Sequence, residues 1–399
     1  MATAAGFLLC GYELLRSASN TLYKGAYGAE NLPIVMAIMP FGIILAVYIY
    51  GRVLSWIGPR KTLFATSIIS GLILSLCYLA IRSGSDVATG VLYVFREAYI
   101  ILLIEQYWSF LNSTLKSDAA RVLNGPIVGW STLGSITGAL LVHKLAIPFG
   151  TPMMVLFAGL ATLPAAFCSD IGYRKCGEPV ATPEEKGGKQ GHLALHLFKD
   201  NRILPLLLCV VIATQVLSTV LDLNFQTILQ NKIPDADQQT AFSGWFFAML
   251  NGVAAILQFV GAPLLLRFLS LRTVHICIPL IHIGTCAVLT ASPTLATAGV
   301  AYMAFKCFDY SLFRAAKELI YIPFSFDTRF RAKEVIDVFG YRFSKGGMSL
   351  LLLIVKKFGA VLLPLYSLVG LVAAGVWLGL IFPLTRTPAL PPRDPSPID

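Results

Sequence analysis

Charge is scarce in this 399-residue chain: Asp, Glu, Lys and Arg together make up 13% of it, about half the share usual for a soluble domain. No polar block of roughly 100 residues separates its apolar runs, so no water-soluble catalytic or DNA-binding domain is attached. The net charge of +10 therefore needs a membrane explanation, and nucleic acid is not an expected partner. Among the eight cysteines no Cys-x-x-Cys pair occurs, and most lie inside apolar runs, where they read as small reduced hydrophobes. No histidine spacing suits a metal. A Gly-x-x-x-x-Gly-Lys-Ser/Thr phosphate loop is also missing, which argues against ATP-driven pumping. Neither a nucleophile set nor a His and acid cluster is present, so no enzyme activity and no cofactor are expected. The N-terminus lacks a basic n-region and a small-residue cleavage site, and its first apolar run already holds Glu13 and Arg16. That run is expected to remain as a helix of the mature protein.

What is abundant is apolar sequence, at 56%. Runs long enough to cross a bilayer, about 20 residues each, fall at 3–25, 32–52, 62–81, 88–112, 122–143, 149–170, 202–229, 241–267, 273–291, 295–322, 334–356 and 358–383. They show no ten-residue alternation, which rules out a strand-built pore. The expected fold is an all-α integral membrane protein of twelve transmembrane helices. It reads as an N-terminal six-helix half (1–170), a polar linker (171–201), a C-terminal six-helix half (202–384) and a tail (385–399). Lys and Arg crowd the loops on one side, among them Arg52, Arg60, Lys61, Arg174, Lys175, Arg267 and Arg272. The other side holds only Lys24, Arg82, Lys144, Lys232, Lys356 and Lys357. This bias places both termini in the cytosol, as in a bacterial inner membrane, and a monomer is expected. Two sixes around a cytosolic linker resemble the major facilitator architecture. The stretch Gly51 to Lys61 resembles that superfamily's loop motif, keeping Gly51, Gly58, Arg60 and Lys61, with Ser55 and Trp56 where Asp and Arg are usual.

Fourteen charges fall on the predicted helices: Arg16, Arg96, Lys306, Arg314, Lys317, Arg342 and Lys345 against Glu13, Glu97, Glu105, Asp222, Asp309, Glu318 and Asp337. Each would cost about 2.5–3.5 kcal/mol facing lipid at helix centre, so most are expected to line a wet interior. Any one pair, such as Arg314 with Glu318 or Arg96 with Glu97, reads first as a helix-locking or gating salt bridge. The cluster says more. At 100° per residue Lys306, Arg314 and Lys317 share an arc of about 80°. Cations converging from helices of both halves suit an anion better than a sugar or a drug-like cation. On this reading Arg16, Lys306, Arg314, Lys317, Arg342 and Lys345 hold a small anionic substrate. Glu97, Glu105, Asp222, Asp309, Glu318 and Asp337 pair with those cations or take up protons. His275 and His282 read as satisfied core residues. The small residues Gly125, Gly129, Gly134 and Gly138, with Ser131, Thr132, Ser135 and Thr137, mark a helix-packing face that can also serve as a sliding surface.

Motifs at the tenth and eleventh helices carry a family resemblance. They are Ser311-Leu312-Phe313, then Lys317-Glu318-Leu319-Ile320-Tyr321-Ile322-Pro323, then Lys333 to Asp337 and Ser344-Lys345-Gly346-Gly347. In order and spacing these resemble the nucleotide (ATP/ADP) translocases of plastids and intracellular bacteria, with weaker similarity at Leu14-Leu15-Arg16 and Tyr93 to Glu97. The resemblance implies a major-facilitator-like carrier without ATP hydrolysis, with important charges at Glu97, Asp222, Lys317 and Arg16. The family's Lys-Asp pair in the first helix is Ser19-Asn20 here, and a usual Lys in the seventh is Gln226. The function expected is a secondary active transporter or exchanger of an anionic solute, such as a nucleotide or other phosphorylated compound, working by alternating access. The two lost cations keep alternatives open: an amphipathic, phospholipid-like anion, or a receptor that binds the anion without moving it.

Overall fold

The computed structural model describes residues 1–114, 117–177, 198–199, 201–321, 335–359 and 361–386. Every regular element among them is helical. Eight helices are long and apolar enough to cross a membrane, so this is a multi-pass, all-α membrane protein. The elements are α1 (Ala2–Tyr27), α2 (Leu32–Arg82), α3 (Asp86–Thr114), α4 (Ser117–Phe149), α5 (Thr151–Cys176), α6 (Ile203–Lys232), α7 (Ala236–Ile256) and α8 (Ala262–Phe268). There follow α9 (Leu271–Ala291), α10 (Leu295–Phe308), α11 (Arg314–Tyr321), α12 (Tyr341–Lys357) and α13 (Leu362–Arg386). Single π turns at Leu257–Gly261, Asp309–Phe313 and Val335–Gly340 join α7 to α8, join α10 to α11 and precede α12.

Helix α2 runs 51 residues, about 76 Å at 1.5 Å per residue, more than twice the bilayer's hydrocarbon thickness. Its one non-helical residue is Gly58 (φ 78°, ψ 168°), a conformation that glycine tolerates and that suits the residue before Pro59. The predicted spans 32–52 and 62–81 are thus two arms meeting at this break. Just past it, Arg60 Nε donates to Asp170 Oδ1 on α5 at 2.7 Å, and Arg174 takes Oδ2 at 2.7 Å. The basic loop of the Gly51 to Lys61 motif is therefore tied down by an acid from α5.

Two compact units emerge. The first comprises Met1–Gly188 with Leu229–Ala255, and the second Lys189–Ile228 with Ile256–Asp399. In the first unit α1 packs against α3, α4 and α5, while α2 lies on α3 and α5. Because α1 is enclosed on several sides, almost every side chain from Glu13 to Thr21 is buried, polar or not. The small face of α4 explains the close approach: Gly134 and Gly138 lie directly on the backbone of Gly6 and Cys10 of α1. In the second unit α9 packs on α13 and α10, and the π turns at Leu257–Gly261 and Asp309–Phe313 touch. His275 and His282 are fully buried in this core, and His282 stacks on Trp377 with centroids 5.6 Å apart. Ring packing holds His282; neither of its nitrogens has a hydrogen-bond partner among the described residues. Outward-facing positions are apolar, including Phe41 and Val87 in the first unit and Phe268 in the second, as a lipid-facing surface requires.

The α1–α4 seam predicts that Gly138→Val destabilises the protein by roughly 1–3 kcal/mol through overpacking. Gly125→Val, where an added methyl meets nothing within 4 Å, is its control and leaves the melting temperature in detergent unchanged.

Candidate functional site

Two charged centres occupy the first unit. In one, Arg96 of α3 is sealed from water and every face of its guanidinium is used. Nη2 and Nε meet Glu97 Oε1 at 2.8 and 3.0 Å. Nη1 donates to Ser19 Oγ at 2.9 Å, to Asn20 Oδ1 at 2.8 Å and to the Arg16 carbonyl at 3.4 Å. The group also lies over the Tyr93 ring, 4.2 Å from its centroid. All three nitrogens of the guanidinium fork are thereby engaged, which makes Arg96 a strut binding α3 to α1. Ser19 and Asn20, the neutral pair at the family's Lys-Asp position, are its acceptors.

The second centre is looser. Arg16 Nη1 lies 3.5 Å from Glu13 Oε1, and its guanidinium lies 3.8 Å from the centroid of the Phe247 ring of α7. Asn251, one turn further along α7, donates Nδ2 to Glu13 Oε1 at 3.0 Å. Nearer the end of α1, Lys24 is 1% exposed, although the sequence places it in a loop; the helix runs on to Tyr27. Gln230 bridges this end, donating to the Lys24 carbonyl at 2.9 Å and accepting from the Ala29 amide at 2.7 Å. Asp237 in the first turn of α7 caps the N-terminus of α5, accepting from the Thr151 amide and hydroxyl at 2.6 and 2.7 Å.

In the second unit Lys306 donates to Ser218 Oγ at 3.0 Å and stands 5.4 Å from the centre of the Tyr310 ring. Lys317 is buried, with Nζ 5.0 Å from the centre of the Tyr341 ring. Asp309 is buried between them in sequence, and Lys306, Arg314 and Lys317 all act on it electrostatically. The π turn at Asp309–Phe313 breaks the uniform 100° period between Lys306 and the other two cations. On α11 itself Arg314 is exposed while Lys317 is buried, so the three cations do not share one environment.

Of the residues expected to hold or balance an anion, Arg16, Lys317 and Asp309 are buried. Lys306, Lys345, Glu97, Asp222 and Glu318 are half-buried, and Arg314 and Glu105 are exposed. The side chains of Arg342 and Asp337 lie outside the described residues, as does most of the polar connection 171–201. Gln226 is 2% exposed. Sequence reasoning passed over Asn251, Phe247, Gln230 and Ser218, whose roles depend on partners far away in the chain. A separate groove of about 800 Å³ between the first arm of α2 and α3 is lined by Ile34, Ile38, Leu45, Val91 and Phe95, with Tyr23, Tyr27 and Asn31 also on its walls. No charged side chain lines it, so it is no place for a bare anion.

Residues 286–387 match the family model described as TLC ATP/ADP transporter. "ADP,ATP carrier protein 1" of Chlamydia pneumoniae is 23% identical over 449 aligned residues, covering 92% of this chain and 86% of that protein. The protein of the same name from Chlamydia muridarum is 23% identical over 302 residues, 65% of this chain. The match spans only 57% of that relative's length. These findings uphold the resemblance to the nucleotide translocases. Among solved structures, a mutant form of the nucleoside transporter NupG superposes with a TM-score of 0.69 at 12% identity, covering 96% of this chain and 99% of that one. A D-xylose-proton symporter gives 0.67 at 13% identity, covering 98% of each. At such identities the likeness is one of fold, and the fold is major-facilitator-like.

The Arg96 strut makes a sharp prediction. Ser19→Lys sets a second cation against a buried guanidinium already paired with Glu97, and lowers the melting temperature in detergent by the equivalent of a few kcal/mol (about 3–5). Adding Asn20→Asp supplies the missing negative charge and recovers most of that loss. Equal melting of the single and double variants would contradict the strut.

Proposed function

From kinship with the ATP/ADP translocases, we propose that this chain is a secondary active transporter that exchanges or co-transports a small phosphorylated anion by alternating access. The observation that carries the reading is the cluster of charge in the second unit: Lys306, Arg314 and Lys317 all act on the buried carboxylate of Asp309. Positive charge within an apolar bundle is costly, and a mobile anion relieves that cost at the moment of binding. Counting the two arms of α2 and joining α7 to α8 and α10 to α11 through their π turns, the chain makes twelve crossings with both termini cytosolic. It acts as a monomer in a bacterial inner membrane and needs no bond chemistry, cofactor or hydrolysis.

Substrate charge follows from the cations that are missing. With Ser19 and Asn20 committed to Arg96, and Gln226 neutral, fewer positive partners remain than a nucleoside triphosphate demands. A monophosphate or an equally modest anion fits better. A second reading, an amphipathic phosphate carrying an acyl chain, is favoured by the apolar groove. Its wall residue Tyr23 packs on Tyr93, and Tyr93 lies under Arg96.

The test is flux into sealed proteoliposomes with labelled phosphate, AMP, ADP and a lysophosphatidate. Lys317→Ala and Arg16→Ala are expected to cut uptake of the transported anion at least tenfold, while a filling change in the groove, Gly90→Leu, affects only the acyl-bearing probe. Movement of a neutral or cationic solute that ignores Lys317 and Arg16 would refute the anion assignment. Binding without flux would turn the protein into a receptor.

A further inference from the structure

Glu13 is the one carboxylate on α1, and it is 3% exposed. Its two oxygens live differently. Oε1 accepts from Asn251 at 3.0 Å and has Arg16 at the long distance of 3.5 Å. Oε2 is sealed from solvent and has no hydrogen-bond partner among the described residues. The contrast with Glu97, which meets Arg96 at 2.8 and 3.0 Å, is instructive, because Arg16 spends the face of its guanidinium on Phe247 instead.

A buried ionised carboxylate is stable only when several donors meet it, and a lone unmatched oxygen is the position where a proton removes the difficulty. We propose that Glu13 is a proton-binding site, taking a proton from water onto Oε2 when the site opens. The neutral acid then makes no electrostatic demand on Arg16, whose guanidinium becomes available to the anion. Proton and anion are therefore held together, three residues apart on α1. The second half of this inference rests on the function proposed above, and the first stands on the carboxylate alone.

The groups facing Glu13 are few. On its own helix they are Cys10 and Arg16. From α3 come Arg96, Tyr99 and the more distant Glu97, which Arg96 already holds. Helix α7 presents Asn251 and Phe247, neither of which titrates. Helices α4 and α5 meet this stretch of α1 with Gly138, Ala158 and Ala161. Thus Arg16 and Arg96 are the cations that answer Glu13, and each has another engagement.

An infrared pH titration of the full chain in lipid nanodiscs, following the C=O stretch of protonated carboxyl groups, tests the inference without any substrate. One titrating component of the wild-type band is lost in Glu13→Gln and kept in Glu30→Gln, whose side chain is exposed. Asn251→Leu keeps the carboxyl and removes its donor, so it moves the midpoint of that same component; this variant decides the matter if Glu13→Gln fails to fold. A wild type without such a component, or one unchanged in Glu13→Gln and in Asn251→Leu, overturns the proposal. Because the band is read with no anion present, absence of flux in vesicles would sink the transport reading and leave this result standing.

Discussion

A charged group sealed inside a helix bundle survives only if neighbouring helices answer its hydrogen bonds, and the enclosure of α1 imposes that demand on most of the first unit. With α3, α4 and α5 against it, α1 has no wet face along Glu13 to Thr21, so its charged side chains and amide there look for partners on other helices, while Thr21 turns back onto the Ser17 carbonyl. Arg96 reaches in from α3 to take Ser19 and Asn20, and Asn251 reaches in from α7 to take Glu13. The glycines of α4 that lie on Gly6 and Cys10 are part of the same economy, since a wider helix separation would open the gap that seals these charges.

The cations of the protein divide by how fully they are engaged. Arg96 has all three guanidinium nitrogens engaged and holds structure together. Arg60 and Arg174 share Asp170 at the α2 break and anchor the basic loop. Arg16, Lys306 and Lys317 lie against aromatic rings, Lys306 also meets the Ser218 hydroxyl, and Arg16 has Glu13 at the long distance of 3.5 Å. Cations held by rings are poised to exchange that contact for a phosphate, because a ring gives up far less than a paired carboxylate would. On the proposed function, this division leaves positive charge where a modest anion can use it, although Ser19 and Gln226 are neutral.

Much of the fold is legible in the sequence because hydropathy reports membrane crossing directly. The first and third helices lie within a few residues of the expected spans 3–25 and 88–112, and the break between 52 and 62 falls at the Gly58-Pro59 pair. What escapes is phase and partnership. A helical wheel at a constant 100° assumes no π turn, so it sets Lys306 in phase with Arg314 and Lys317, which the Asp309–Phe313 turn does not. Lys24 reads as a loop residue at the end of the first apolar run, yet α1 carries it to a buried position. Glu105 was expected inside and lies exposed, near Tyr50 of α2, since the apolar surround of α3 offers no amphipathic face from which to infer direction. The Glu13–Asn251 bond joins residues 238 positions apart, and nothing local in either segment announces it.

If buried Lys317 holds an anion as proposed, ligand-induced stabilisation reads that directly. In a melt of the purified chain at constant ionic strength, millimolar phosphate or AMP is expected to raise the melting temperature by several degrees over chloride, as mass action requires of a ligand that binds only the folded state. Lys317→Met should abolish the gain. A rise produced equally by a neutral sugar or an organic cation, or one untouched by loss of Lys317, would contradict the central claim.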